Sequence, residues 1–220
     1  MAVRYVTFDC YGTLIDWKRG IEYNFKKFTG LQDKYNQDIF DEYVKIESRK
    51  ESGYSTYREI LASTFLELER LNNIDPSDKD AGDFAESITH WPPFDDTVTT
   101  LVDIGKMGLK RIILSNVDRD LLKETISENE LEVDGYITAE DVRSYKPSKA
   151  HWMRMLEEYD AKEEEVVHVA GSIYHDIVPA SKMGFKTIWV NRYSEKTPNG
   201  VKPNYTVDRL SDIINILLNF

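Results

Sequence analysis

The chain has 220 residues, 28 Lys plus Arg and 39 Asp plus Glu, for a net charge of −11. At roughly 150 residues per domain, that length holds one full domain and an insertion, but not two α/β domains. With 41% apolar and 30% charged residues, the disordered, collagenous and low-complexity classes are excluded. The acidity also argues against nucleic acid and membrane partners, because phosphate backbones and anionic lipid repel it. The same field disfavours a small anionic substrate unless a local cation offsets it. The single cysteine, Cys10, rules out an internal disulfide framework and a Cys-based zinc site.

The N-terminal stretch to Phe8 has no long apolar leader, and no run approaches the roughly 18 apolar residues of a membrane span. A cytoplasmic protein is the expectation. Val3 to Phe8 is short, apolar and β-branched and stops at Asp9, which predicts a buried strand running into a loop. From Asp16 to His90 the period becomes helical, with helices expected over Ile21–Phe28, Ile39–Arg49, Tyr57–Leu71 and Lys79–Ile88. Trp91-Pro92-Pro93-Phe94 ends this block, which carries almost no strand signal.

Strands and helices then alternate. Strands are expected at Arg111–Ser115, Gly135–Thr138, Val166–Ala170, Thr187–Val190 and Tyr205–Val207. Helices are expected at Asp96–Met107, Arg119–Asn129, Ser148–Tyr159, Asp176–Met183 and Leu210–Leu218. This alternation implies an α/β fold: a Rossmann-like parallel sheet with helices on both faces. The expected division is a core of residues 1–15 and 94–220, with an all-helical cap of residues 16–93 inserted after the first strand.

Ligands in such sheets sit at the carboxyl ends of the strands. Four of those ends are polar: Asp9, Ser115-Asn116, Lys146 in the loop after the Gly135 strand, and Gly171-Ser172 with Asp176 beyond. Each has an ordinary reading. Asp9 could be a turn or cap residue, Ser115-Asn116 a helix N-cap pair, and Asp176 a first-turn carboxylate on its helix dipole. Together they form a set. A carboxylate after a buried strand is costly unless compensated, and Lys146 is the residue that could compensate it.

In Phe8-Asp9-Cys10-Tyr11-Gly12-Thr13-Leu14, Leu114-Ser115-Asn116, Lys146-Pro147 and Gly171-Ser172 through Asp176, the chain resembles the haloacid dehalogenase superfamily. Tyr11, Asp16, Tyr145-Lys146-Pro147 and Trp189-Val190-Asn191-Arg192 resemble its type II 2-haloacid dehalogenase-like subgroup. The resemblance implies a hydrolase in which Asp9 attacks the substrate to form a covalent aspartyl intermediate. Water then hydrolyses that intermediate at the carboxyl carbon. It assigns Thr13 to the nucleophile, Tyr11, Ser115 and Asn116 to the substrate, Lys146 to charge compensation, and Asp176 to orienting Lys146 or water. It also makes a small anionic substrate, an acid whose carbon–halogen bond is cleaved, and either a monomer or a homodimer, expectations.

Within the superfamily, phosphatases carry an Asp two residues after the nucleophile to protonate an alkoxide leaving group. Here that residue is Tyr11, a phenol with an ordinary pKa near 10. A halide leaves without a proton, so Tyr11 and the Gly171 that replaces an acid favour a dehalogenase without a cofactor. A Mg²⁺-dependent phosphatase of a small phosphomonoester is the alternative, with Asp9 and Asp176 as metal ligands. A catalytically weak metabolite- or protein-binding member is a third. Against a true haloacid dehalogenase, the early cap helix lacks its arginine, leaving Arg19, Lys45 or Arg49 to substitute. Gly171 and Ile173 replace a Ser and an Asn at the water site, and Trp152 replaces a tyrosine. His175 is open between water activation and a merely polar role.

Overall fold

A computed structural model describes residues 2–31 and 34–220. Six parallel strands form one sheet: β1 (Tyr5–Phe8), β2 (Lys110–Ser115), β3 (Gly135–Thr138), β4 (Val166–Ala170), β5 (Lys186–Val190) and β6 (Tyr205–Val207), in the order β3-β2-β1-β4-β5-β6. All residues of β1 and β4 are buried, as expected for strands covered on both faces. From β1 the sheet extends to β2 on one side and to β4 on the other. That reversal opens a crevice at the carboxyl end of β1. Register places Phe8 beside Ile113 and Val169, so Asp9 emerges level with the ends of β2 and β4.

Between β1 and β2 lie α1 (Trp17–Thr29), α2 (Gln37–Lys50), α3 (Tyr57–Leu71) and α4 (Asp78–Glu86), followed by a short 3-10 turn and α5 (Thr97–Lys106). The chain leaves and re-enters the sheet layer through a two-stranded neck. Asp16 N–H donates to Pro92 O at 2.8 Å, and Phe94 N–H to Leu14 O at 3.0 Å. Side-chain caps start these helices: Asp16, Asn36 and Ser77, and a Thr56–Glu59 capping box. α3 is also tied to the sheet layer. The Asp118 carboxylate accepts the free N–H groups of Tyr57 and Arg58, each at 2.9 Å, where the positive helix end favours an anion. Tyr145 donates to Ser55 O at 2.7 Å.

The second half continues through α6 (Arg119–Glu128), α7 (Ala139–Val142), α8 (Ala150–Glu158), α9 (Val178–Lys182) and α10 (Ile213–Leu217). Several expected bounds shift, α1 starting at Trp17 rather than Ile21 and α8 at Ala150 rather than Ser148. The first strand starts at Tyr5 rather than Val3. The one-turn α7, held by a Thr138–Asp141 capping box, falls where a loop was expected, because four residues carry no period. A 3-10 turn fills Leu210–Asp212, so the last helix is confined to α10. The helix expected from Asp176 begins at Val178. Residues Ile173–Ile177 instead wind as a π-helical turn, with Ser172 Oγ accepting from His175 N–H at 3.1 Å and Ile177 N–H bonding Ser172 O at 3.1 Å. Such turns concentrate at functional sites, and this one carries Asp176 inward. Among the described residues no helix is long and apolar enough to cross a membrane.

Candidate active site

Asp9 is buried at the carboxyl end of β1, and both its carboxylate oxygens are bonded. Lys146 Nζ donates to Oδ1 at 2.8 Å, and Thr13 Oγ1 donates to Oδ2 at 2.7 Å. Thr13 is itself oriented by Gly171, whose N–H donates to Oγ1 at 2.8 Å. The tight turn between them requires Gly12, at φ +93°.

Lys146 is the electrostatic centre. Its side chain is 1% exposed, and Nζ spends its three donors on Asp9, on Asp176 Oδ1 at 2.7 Å and on Leu114 O at 2.9 Å. Burial opposes its charge, but the two carboxylates outweigh burial and hold its pKa above the usual lysine value. Asp176, also fully buried, is pulled down to about 2: burial works against its charge, and Lys146 and His168 overcome it. Asp9 is pushed up from the ordinary carboxylate value by burial, with Lys146 pulling against that and Asp176 adding to it.

His168, in the middle of β4, was not singled out from the sequence. Its Nε2 lies 3.1 Å from Asp176 Oδ1 and its Nδ1 2.8 Å from Thr7 Oγ1. The His168 ring thus bridges Thr7 and Asp176 and fixes the orientation of that carboxylate. The other Asp176 oxygen, Oδ2, is buried without a partner among the described residues, and so is the hydroxyl of Ser115. Unsatisfied buried polar atoms are rare and mark places where a ligand or water belongs. Both residues line a cavity of about 470 Å³ that opens on Asp9.

Two residues expected to meet the substrate are otherwise engaged. Asn116 Oδ1 accepts Lys146 N–H at 2.7 Å and Nδ2 donates to Lys146 O at 3.2 Å. Its amide therefore holds the Lys146 loop against β2 rather than waiting for an anionic head. Tyr11 lines the cavity, but its hydroxyl bonds Thr125 Oγ1 at 2.7 Å. Burial pushes that phenol well above 10, so it is no proton donor to a leaving group. Cys10 is a buried apolar filler.

None of the three cap cations reaches the cavity. Arg49 pairs with Glu67 on the surface, while Arg19 and Lys45 line other clefts. Trp91 packs in the interior between Tyr11 and Phe84. Tyr54 stacks on Tyr145 away from the cavity. Tyr57 does line the cavity, and its hydroxyl donates to Glu47 Oε1 at 2.7 Å. Where the arginine was sought, α2 instead delivers Glu47 and Glu51, two acids the sequence reading passed over. Glu47 also accepts from Tyr43 at 3.0 Å. Glu51 Oε1 lies 3.4 Å from Asn116 Nδ2, and Oε2 lies 3.7 Å from His175 Nε2. His175 Nδ1 in turn meets Ser172 Oγ at 3.1 Å. Burial, foremost, raises Glu47 to about 7 and Glu51 to about 8, with Glu47 adding to the shift of Glu51.

These shifts carry a stability prediction. Both folded-state values lie above the unfolded one, so the contribution is complete below the unfolded glutamate pKa and is lost as pH rises through about 7 and 8. The ligand-free protein will lose about 5 °C in Tm between mildly acid and mildly alkaline pH. A Glu47→Gln/Glu51→Gln variant will lose much less. Calorimetric melting across that range checks this, and parallel curves for the two proteins would refute it.

The Mg²⁺ alternative meets a poor donor set. A hard divalent cation wants about six oxygens in octahedral array. Asp9 and Asp176, its expected ligands, share Lys146, and Asp9 Oδ2 is occupied by Thr13. Gly171 stands where a further acid would be needed, and a Cβ there would meet Gly12 O at 2.6 Å. Among the described residues no group of three His, Cys, Asp or Glu is arranged to hold a metal. The residues present do not fit Mg²⁺.

A family model described as haloacid dehalogenase-like hydrolase matches residues 3–184. The pyrophosphatase PpaX of Bacillus cereus (strain G9842) is 28% identical over 239 aligned positions, covering 100% of this chain and 98% of that protein. PpaX of Bacillus mycoides (strain KBAB4) is 32% identical over 126 residues, a match that takes in 54% of this chain and only 56% of that protein's length. The solved structure of L-2-haloacid dehalogenase from Xanthobacter autotrophicus superposes with a TM-score of 0.87 over 99% of both chains, at 19% identity. At that identity the likeness shows the fold alone.

Proposed function

The chain belongs to the haloacid dehalogenase-like hydrolases, and we propose that it hydrolyses its substrate through Asp9 as covalent nucleophile, by 2-haloacid dehalogenase-like displacement at carbon. In this reading residues 16–93 form a cap over the core of residues 1–15 and 94–220. One observation carries it. Asp9 is held on both oxygens by Lys146 and Thr13, while the residue two positions on, Tyr11, turns its hydroxyl to Thr125. The nucleophile is thus oriented, and its own loop supplies no acid to protonate a leaving group. That arrangement suits a leaving group that departs as a stable anion.

An Asp9 oxygen attacks the substrate carbon, the carbon–halogen bond breaks, and halide leaves with the electron pair. Water then attacks the carboxyl carbon of the Asp9 ester. The oxyanion develops on the Asp9 oxygen that did not attack and keeps that oxygen's donor, Lys146 Nζ on Oδ1 or the Thr13 hydroxyl on Oδ2. Collapse expels the alcohol oxygen, which takes a proton, and returns Asp9. The net change is one water consumed and one proton and one halide released. Asp176 has two tasks: Oδ1 holds Lys146, and the unpartnered Oδ2 orients the water.

The names of the PpaX relatives favour phosphoryl hydrolysis as a second reading, which the donor set does not. The two are separated by supplying 2-chloropropionate enantiomers, the neutral 2-chloropropionamide and an aryl phosphate, each with Mg²⁺ and with chelator. Chloride release indifferent to chelator is the expected result. Phosphate release abolished by chelator, with no chloride release, would replace the first reading by the second.

A further inference from the structure

We propose that Glu47 and Glu51 form the head-group subsite of the Asp9 cavity, and that the head they take is a protonated amine. This deepens the reading of that cavity as the active site and rests on it.

The placement of the two acids is costly in four ways. They sit four residues apart, Glu47 in the last turn of α2 and Glu51 at its C-cap, so they share one face as like charges. They lie at the carboxyl end of the helix, where the dipole is negative. Glu47 is 8% exposed and the Glu51 side chain 11%. No Lys or Arg of the described residues pairs with either, and only His175 approaches Glu51. Uncompensated buried carboxylates are among the most expensive groups a fold can carry. Empty, the pair relieves that cost by holding its protons; a bound cation would compensate the charged form instead.

Independent polar atoms in the same cavity point to a ligand. Ser115 is 1% exposed and its hydroxyl lacks a partner, as does Asp176 Oδ2. The sign of the ligand's head follows from the remaining charges. Lys146 is divided between Asp9 and Asp176, and Arg192 donates to Asp96 and Thr13 O, each at 3.0 Å. Both cations of the cavity are already paired with carboxylates, and of their donors only Arg192 Nε is buried without a partner among the described residues, so an incoming carboxylate finds one free partner. An ammonium finds two. Both phenols use Glu47 Oε1, so Oε2 accepts no hydrogen bond from the described residues. The rings of Trp17 and Tyr57 border the same space and favour a cation electrostatically. The substrate class is therefore a small molecule whose protonated amine lies a few atoms from the carbon that Asp9 attacks.

Isothermal titration with n-butylammonium, butyrate and 1-butanol at neutral pH tests this on the intact protein. Butylammonium will bind at least about tenfold more tightly than either of the others and will release protons from the glutamates as it binds. Glu47→Gln and Glu51→Gln, each checked by thermal melting, will each remove most of that preference while leaving 1-butanol binding unchanged. Equal or tighter binding of butyrate, no preference over butanol, or no binding of any probe at tens of millimolar overturns the proposal. So does a preference that survives both glutamine variants but is lost in Asp9→Asn, which would seat the amine on the nucleophile. Failure to trap an Asp9 adduct removes the covalent reading and leaves this titration standing, so the two failures are distinct.

Discussion

Asp9→Asn will abolish turnover, by about 10⁴-fold or more, and no covalent adduct will form on the Asp9 peptide. The substitution changes charge far more than shape. The carboxamide fits the same volume, and its oxygen can still accept from Lys146 where Oδ1 now does, at 2.8 Å. What is lost is the anionic oxygen that attacks, so the step that forms the ester has no reagent. The matching experiment on the unaltered protein is a single turnover in ¹⁸O-labelled water. Water attacks the carboxyl carbon of the ester, so the label will appear in Asp9 and the first product will carry unlabelled oxygen. Label in the first product, or wild-type turnover by Asp9→Asn, would mean that water attacks the substrate directly and Asp9 has another task.

Lys146→Met will be costly twice over. Met fills a similar volume but leaves Asp9 and Asp176 facing each other, buried, with no counterion; the present distances from Nζ are 2.8 and 2.7 Å. Stripping one partner from a buried ion cluster costs about 3–5 kcal/mol, because the remaining charges stay desolvated. The sign of its pH dependence follows from Asp176. That carboxylate is held at about 2 in the fold by Lys146 and His168, so its stabilisation is present above the unfolded Asp value and lost as pH falls toward 2. Wild type and variant will therefore differ most near neutral pH and converge in acid. Activity will fall about 10³-fold, since Asp9 becomes harder to ionise and the ester oxyanion loses its charged donor. Urea unfolding as a function of pH, paired with rapid-quench detection of the adduct, measures both effects. A variant as stable as wild type at neutral pH would show that the ion cluster contributes nothing to the fold.

Asp9, Lys146 and Asp176 were legible in the chain for one physical reason. Buried strands are apolar, so the charge directly after the first one, Asp9, stands out, and Lys146 and Asp176 lie in the segments that follow the ends of two others. Alternation of strand and helix also assigns each such charge to the same sheet edge. Thr13 came from the resemblance of its motif. His168 left a signal that could have been used, a lone imidazole inside Val166–Ala170, a strand buried throughout. Asn116 was read as a substrate contact, because nothing local shows that its amide closes on the Lys146 backbone thirty residues away.

By itself, the sequence determined the α/β layering, the helical insertion and the chemistry concentrated at the strand ends, since these depend on local periodicity and on the cost of burying charge. Tertiary structure alone decided which way α2 faces. Glu47 and Glu51 look like residues of any solvated helix surface until that helix is laid over Asp9, and Arg19, Lys45 and Arg49 look equally available until they turn elsewhere. Charge is a property of the residue, whereas desolvation and pairing are properties of the packed neighbourhood. The buried carboxylate at the end of the first strand could therefore be read from the chain, and the acidic character of the pocket above it could not.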